Sequence, residues 1–142
     1  MNQRFGLERH LHQFLRDDWG HLELGKEWAL YSEPGDDEAG YEYPCDVGRI
    51  DILAKHRREG RWLVIDLKRE QSTDQTIGQL LRYIGWVRRH LASDDELVQG
   101  MIICRETDTA LQYALHAVQN VEVCLYEVES SLADKFRSCS IT

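Results

Sequence analysis

Two short apolar stretches separated by a four-residue polar turn constrain this chain more than any other feature. Arg49–His56 and Arg61–Lys68 are rich in Ile, Leu and Val and flank the turn Arg57-Arg58-Glu59-Gly60, which is the pattern of a β-hairpin. A helix with apolar residues at helical spacing is predicted next, at Asp74–Leu91, behind a serine or threonine that can cap it. A hairpin followed by a long amphipathic helix predicts a sheet with a helix packed against it.

The remaining predicted elements are weaker and lie on both sides of this unit. They are a helix at 5–18, a strand at Leu22–Tyr31, a strand at Leu97–Cys104, a helix at Asp108–Val118 and a strand at Val121–Val128. The order αβββαβαβ predicts an α/β fold with a mixed central sheet flanked by helices. We expect one domain spanning the 142 residues, with its core at about 5–128 and a polar C-terminal tail at 129–142.

Charge is distributed unevenly along the chain. The formal net charge of −8 argues against a protein that coats nucleic acid through bulk charge. Residues 48–92, however, carry ten basic and five acidic groups, whereas the segments on either side are acidic. Any partner that carries phosphates is therefore expected at this middle segment, although a solvated face of mixed charge would give the same pattern.

Neither a membrane segment nor a zinc site is expected. The sequence has no run of 18 apolar residues and no apolar stretch at its N-terminus, so a cytoplasmic protein is the expectation. The four cysteines form no C-x-x-C pair. Cys104 and Cys124 lie in apolar stretches and are expected to be buried reduced thiols.

Three charged residues interrupt the apolar hairpin. Asp66 and Lys68 lie two apart and therefore share a face of their strand. A turn centred between Arg58 and Glu59 places Asp51 opposite Asp66, and a turn centred one residue later places it opposite Lys68. In either register the three side chains lie on one face, with opposed Cβ atoms about 5 Å apart.

Two carboxylates at this spacing repel each other, and one lysine cannot fully neutralise both. Paired carboxylate oxygens suit Mg²⁺ or Mn²⁺, which retain bound water and can hold a substrate phosphate. The alternative is an ordinary cross-strand ion pair between Asp51 and Lys68, with Asp66 exposed at the end of its strand.

The helix after the hairpin contributes polar and aromatic residues beside its apolar stripe. Gln79, Tyr83 and Trp86 occur at positions i, i+4 and i+7, and Arg82 borders them. This spacing favours side chains that face the same cleft as Lys68. Boundary aromatics with polar tips would give the same spacing.

Together these residues resemble a known family. Gly48-Arg49-Ile50-Asp51, then Val64 to Arg69 with its D-x-K, then Gln79-Leu80-Leu81-Arg82-Tyr83 occur in order. This arrangement resembles the PD-(D/E)XK nuclease superfamily, which has the restriction-endonuclease fold, and is similar to the catalytic domain of NucS-type endonucleases. Glu8 and its neighbours resemble the opening helix of that family, so the likeness extends over roughly residues 5–128.

The resemblance implies a role for each matching position. Asp51 and Asp66 would bind Mg²⁺ or Mn²⁺ with the backbone carbonyl of Leu67, and Glu8 would hold the metal directly or through water. Lys68 would position the attacking water or stabilise the pentacovalent phosphate, and Gln79 and Tyr83 would orient Lys68 or the scissile phosphate. The predicted nucleic-acid contacts are Arg49, Arg57, Arg58, Arg69 and Arg82.

Two departures from the family pattern bear on function. Asp66 stands where NucS-type enzymes more often have glutamate. Those enzymes carry a separate N-terminal DNA-binding and dimerisation domain, and we expect this chain to lack it. The leading hypothesis is a metal-dependent DNA endonuclease of DNA repair or defence, which hydrolyses phosphodiester bonds and works with a homodimer partner or a separate recognition subunit. The alternatives are a non-catalytic nucleic-acid-binding or scaffold module that keeps the fold, and a nuclease acting on RNA.

Overall fold

The structure is a computed structural model. It describes the backbone of residues 3–68, 71–128 and 134–139, and the side chains of residues 11–68 and 71–126. Four helices are present in these ranges: α1 at Gln3–Asp18, α2 at Glu23–Glu27, α3 at Asp74–His90 and α4 at Thr109–Ala117. A short 3₁₀ turn, Trp19–His21, joins α1 to α2.

Nine strands accompany the helices. They are β1 (Trp28–Leu30), β2 (Tyr41–Cys45), β3 (Gly48–His56), β4 (Arg61–Leu67), β5 (Gln71–Ser72), β6 (Leu97–Cys104), β7 (Glu106–Thr107), β8 (Val121–Val128) and β9 (Asp134–Cys139). Seven of them form one sheet in the order β3-β4-β6-β8-β9, with β1 and β2 both paired to the outer edge of β3. The pairs β4–β6 and β6–β8 are parallel and the other pairs in this sheet are antiparallel. The predicted mixed α/β fold is confirmed.

The sheet buries apolar side chains on both faces, as a sheet covered by helices on both sides requires. On one face, Val64 of β4 packs with Leu80 of α3 and Leu111 of α4. On the other face, Ile65 packs with Leu11 and other residues of α1. Successive side chains along β4 therefore contact the two helical layers alternately.

The predicted strand at Leu22–Tyr31 is mostly wrong. Glu23–Glu27 form the short helix α2, and only Trp28–Leu30 form a strand. Close packing at Gly25 explains the difference, because a Cβ there would lie 1.7 Å from the carbonyl oxygen of Trp19. The glycine therefore allows α2 to lie directly against the turn that follows α1.

Within the described ranges, four strands lie where the sequence predicts none: β2, β9 and the two-residue strands β5 and β7, which pair with each other. β2 pairs with β3 along the sheet edge, and Pro44 is tolerated there because an edge strand has unpaired positions. β9 pairs antiparallel with β8, within the segment predicted as a polar tail. Among the helices of the described ranges, none has the length and apolar character needed to cross a membrane.

Candidate active site

The register of the β3–β4 hairpin brings the two aspartates face to face. Ile52 pairs with Ile65 and Leu53 with Val64, so one step further along the strands Asp51 lies opposite Asp66. Of the two registers left open by the sequence, this is the one with the turn centred between Arg58 and Glu59. Asp51 Oδ2 accepts a hydrogen bond of 2.7 Å from the backbone N–H of Leu67, which fixes its carboxylate against β4.

Asp66 is a buried carboxylate on the face of the sheet that α3 covers. Its side chain alternates with Ile65 and Leu67, which pack on the α1 side. The residue is only 4% exposed, and its Oδ2 atom is buried without a hydrogen-bond donor. Lys68 Nζ lies 3.4 Å from this oxygen. Because Asp66 is buried and pairs with Lys68, the alternative of an exposed Asp66 beside an Asp51–Lys68 pair is not observed.

Helix α3 extends the site through two polar side chains. Lys68 Nζ donates to Gln79 Oε1 at 3.5 Å, and Gln79 Nε2 donates to the hydroxyl of Tyr83 at 3.1 Å. The two bonds fix the orientation of the Gln79 amide, since its oxygen must face the lysine and its nitrogen must face the tyrosine. The structure thus brings together Asp51, Asp66, Lys68, Gln79 and Tyr83 in one connected group.

Gly48 makes room for the end of this group. Its φ of +138° is unfavourable for residues with a side chain. A Cβ atom there would lie 2.7 Å from the Tyr83 hydroxyl. The glycine of the G-x-I-D motif therefore lets the start of β3 approach Tyr83, a close contact that the sequence pattern does not reveal.

Burial dominates the electrostatics of both aspartates. It raises the pKa of Asp66 to about 7, with Lys68 opposing the shift and the negative charge of Asp51 adding to it. Burial also raises the pKa of Asp51, against the lowering effect of the Leu67 N–H bond. Two acids that resist ionisation side by side are typical of a functional site.

The donor set fits a hard divalent cation. Two carboxylates on adjacent strands and one buried carboxylate oxygen without a donor offer the oxygen ligands that Mg²⁺ and Mn²⁺ prefer. Within the described side chains, no cluster of three His, Cys, Asp or Glu residues could hold a metal. Backbone or water oxygens, or Glu8, would complete the coordination, and the side chain of Glu8 lies outside the described residues.

Glu42 on the edge strand β2 is a neighbour of the site that the sequence does not indicate. Tyr41 pairs with Ile52 and Tyr43 with Ile50, so Glu42 lies opposite Asp51 in the row that continues to Asp66. Its φ of +52° is uncommon for a residue other than glycine. Its negative charge raises the pKa of Asp51.

The predicted nucleic-acid arginines are not gathered at one place. Arg49 lies two residues before Asp51 and pairs with Glu42 at 3.2 Å, and Arg82 is exposed on α3. Arg57 and Arg58 follow β3 at the hairpin turn, at the opposite end of β4 from Asp66 and more than about 15 Å away along the strand. Arg69 lies outside the described residues.

The chain is similar to known nucleases in sequence and in structure. The profile of the family described as "YhcG PDDEXK nuclease domain" matches residues 4–139. The sequence is 30% identical over 74 residues to the endonuclease NucS of Methanocaldococcus jannaschii, a stretch that covers 52% of this chain and 27% of that protein.

Two solved structures share the fold. One is an EndoMS–dsDNA complex, with a TM-score of 0.61 and 16% identity over 83% of this chain. The other is a repair endonuclease from Pyrococcus abyssi, with a TM-score of 0.57 and 14% identity over 80% of this chain. The chain covers 43% of each of these structures and about a quarter of the NucS relative.

Proposed function

Because the chain belongs to the family of YhcG PDDEXK nuclease domains, we propose that it is a divalent-metal-dependent endonuclease that cuts DNA in repair. One observation carries the proposal, namely that Asp51 lies opposite the buried Asp66, which pairs with Lys68 and is linked through Lys68 and Gln79 to Tyr83. DNA is favoured as the substrate because one fold neighbour was solved with double-stranded DNA and the other is a repair endonuclease.

Asp51, Asp66, the carbonyl oxygen of Leu67 and Glu8 would hold Mg²⁺ or Mn²⁺ in this proposal. When bound, the ion supplies a Lewis acid for the phosphate and lowers the pKa of a bound water. The chain itself contributes the position of the two carboxylates. Asp51 is held against β4 by the Leu67 N–H, and Asp66 is held by its burial under α3.

Lys68 is the residue placed to offset negative charge on the phosphate. Its ammonium group has three N–H donors, one of which is directed to Gln79 Oε1. A second donor faces Asp66 Oδ2 at 3.4 Å, and the third is available to a phosphate oxygen beside Asp66, where charge builds up in the transition state. Gln79 and Tyr83 act as positioning residues, since each holds the next member of the chain that ends at Lys68.

Arg49 on β3 and Arg82 on α3 would contact backbone phosphates on either side of the cut. These contacts position a strand without reading its sequence. Few basic side chains surround the site. This supports the proposal of a second DNA-binding surface, supplied by a homodimer partner or by a separate recognition subunit. The prediction of a cytoplasmic protein stays a prediction.

A cleavage assay tests the proposal. The purified protein is incubated with single-stranded, duplex, mismatched and flap DNA, and with RNA of matching sequence, in Mg²⁺, Mn²⁺ or EDTA. We expect DNA to be cut only with a divalent metal, and Asp66→Asn and Lys68→Met to lower the rate by at least 100-fold.

The matched control is Asp94→Asn, which changes an exposed aspartate in the loop after α3 and should cut at the parental rate. Mn²⁺ titration by calorimetry runs in parallel and should lose its signal in Asp51→Asn. A protein that binds DNA without cutting it, and takes up no Mn²⁺, would be a non-catalytic module. Cleavage of RNA alone would reassign the substrate.

A further inference from the structure

A row of aromatic rings lies beside the catalytic group and takes no part in it. The rings of Trp86 and His90 are stacked, with centroids 4.6 Å apart and planes inclined by 19°. Tyr43 packs against Trp86 at 5.8 Å, and Tyr31 packs against Tyr43 at 5.6 Å. His90 ends the row and is exposed, whereas the other three rings are half-buried.

The ring of His90 is held in one orientation. Its Nδ1 atom lies 3.1 Å from the carbonyl oxygen of Trp86, and because a carbonyl oxygen can only accept, Nδ1 carries the hydrogen of this bond. One face of the imidazole covers Trp86. Because the residue is exposed, the other face is presented to solvent, as a flat surface already ordered by the helix.

This ring pair continues the stripe that carries the catalytic residues. Gln79, Tyr83, Trp86 and His90 occupy positions i, i+4, i+7 and i+11 of α3, so they lie on one side of the helix. The stripe is about 16 Å long at 1.5 Å per residue. Two exposed arginines, Arg82 and Arg89, border it on its solvent side.

Ordinary core packing does not account for this arrangement. Trp86 buries an indole N–H that has no hydrogen-bond partner, a cost that an aliphatic residue at the same position would avoid. His90 is exposed at the end of α3 and fills no space in the core. A flat ring pair bordered by arginines instead has the composition of a surface that stacks nucleobases and holds their phosphates.

We propose that the Trp86–His90 pair is a stacking subsite for an unpaired nucleobase of the nucleic acid that is cut beside Asp66, with Arg82 and Arg89 on the adjoining phosphates. The inference rests on the proposed nuclease function and adds a substrate class to it. A base inside an intact duplex has both faces covered by its neighbours, so only an unpaired or displaced base can stack on His90. At 3.4 Å for each stacked nucleotide, the stripe places that base roughly three to five nucleotides from the scissile phosphate.

The test is equilibrium binding of the full chain in EDTA, where no cleavage occurs. Fluorescence anisotropy is measured with a labelled single-stranded oligonucleotide and with its duplex. We expect His90→Ala to weaken single-strand binding at least fivefold and to leave duplex binding within twofold. His90→Tyr keeps a flat ring and should restore single-strand binding. His116→Ala is the matched control, because it removes an exposed histidine from the last turn of α4.

Oligonucleotides with a single abasic position locate the contact. An abasic site at the stacked position should weaken binding by the parental protein and abolish the difference between that protein and His90→Ala. The proposal is overturned if His90→Ala binds as the parental chain does, if His90→Tyr fails to restore binding, or if the loss is equal on duplex. If His90→Ala cuts DNA at the parental rate, the stacking subsite alone is contradicted. If the base stacks on His90 but no DNA is cut in Mn²⁺, the endonuclease function alone is contradicted.

Discussion

Single residues at the site are constrained by contacts that few side chains can make. Gly48 must lack a Cβ because the Tyr83 hydroxyl occupies that space. Gln79 must carry both an acceptor and a donor, because it accepts from Lys68 and donates to Tyr83. Asp66 accepts no hydrogen bond at its buried Oδ2. The first two residues are explained by the fold, whereas the third destabilises the metal-free protein.

Asp66→Asn should therefore stabilise the metal-free protein while abolishing cleavage. Burial raises the pKa of Asp66 to about 7, so at pH 8 the folded protein bears the cost of an ionised buried carboxylate next to Asp51. A neutral amide removes that cost, and we expect the free energy of unfolding in EDTA to rise by about 2 kcal/mol. Urea denaturation at pH 8 measures the change.

Metal binding should reverse this order of stability. Saturating Mn²⁺ stabilises only the protein that binds it, so the parental midpoint should rise while that of Asp66→Asn stays fixed. The exposed Asp94→Asn should behave as the parental protein in both buffers. A lower free energy of unfolding for Asp66→Asn in EDTA would show that the Asp66 carboxylate stabilises the fold instead of destabilising it.

At the level of elements, the sequence predicts the strands and helices that bury a continuous apolar face. The strands at Leu97–Cys104 and Val121–Val128 have the predicted bounds. The observed bounds of β3, β4 and α3 each differ from the predicted bounds by one residue at one end. The same periodicity predicts Asp51, Asp66 and Lys68 on one face. It cannot choose between the two hairpin registers, because they differ only in a turn of polar residues.

The elements that the sequence does not predict form where packing or pairing overrides a weak local pattern. β2 does alternate, with Tyr41, Tyr43 and Cys45 less exposed than the residues between them, yet Pro44 and the adjoining acidic loop favour a loop prediction. The sequence does not predict β2 and therefore does not indicate Glu42, which joins the site only through pairing of β2 with β3. β9 has a mostly polar sequence and forms by pairing with the edge of β8.

Glu96 joins three elements at the end of the sheet opposite the aspartates. Its Oε1 accepts from Trp62 Nε1 at 2.9 Å and from the Ser93 N–H at 2.8 Å, and its Oε2 lies 3.2 Å from Lys55 Nζ. These contacts, led by the Trp62 bond, lower the pKa of Glu96 to about 2. The ionised carboxylate therefore stabilises β3, β4 and the loop before β6 as one unit.

Glu96→Gln should lower stability in a pH-dependent way. A lowered folded-state pKa means that the stabilisation is complete above pH 4.5 and is lost as the pH falls towards 2. We expect a deficit of about 1–3 kcal/mol in the free energy of unfolding at pH 7, which narrows steadily below pH 4.5. Urea denaturation between pH 7 and pH 3 measures it, with Asp95→Asn as the exposed neighbouring control. A deficit that is constant over this range would contradict the role of the charge.

Over the whole molecule, the placement of charge matters more than its total. Residues 48–92 carry ten basic groups, yet the fold directs several of them away from the site. Arg57 donates to the carbonyl oxygen of Gly25, Arg61 pairs with Glu59 at 2.6 Å, and Lys55 pairs with Glu96. Among the described side chains, Arg49 and Lys68 lie at the strand ends beside Asp66, and Arg82 and Arg89 are exposed along α3.

This distribution predicts a shallow salt dependence for DNA binding. Each neutralised phosphate of duplex DNA contributes about −0.9 to the slope of the logarithm of the binding constant against the logarithm of salt concentration. Three or four contacts give a slope of roughly −3 to −4, whereas participation of all ten basic groups of residues 48–92 would give about −9. Arg82→Gln should make the slope shallower by about 1, and Arg57→Gln, at the far end of the hairpin, should leave it unchanged. Anisotropy titrations from 50 to 200 mM salt in EDTA measure these slopes. If the parental slope is steep and becomes shallower in Arg57→Gln, the DNA lies across the hairpin turn instead of along α3.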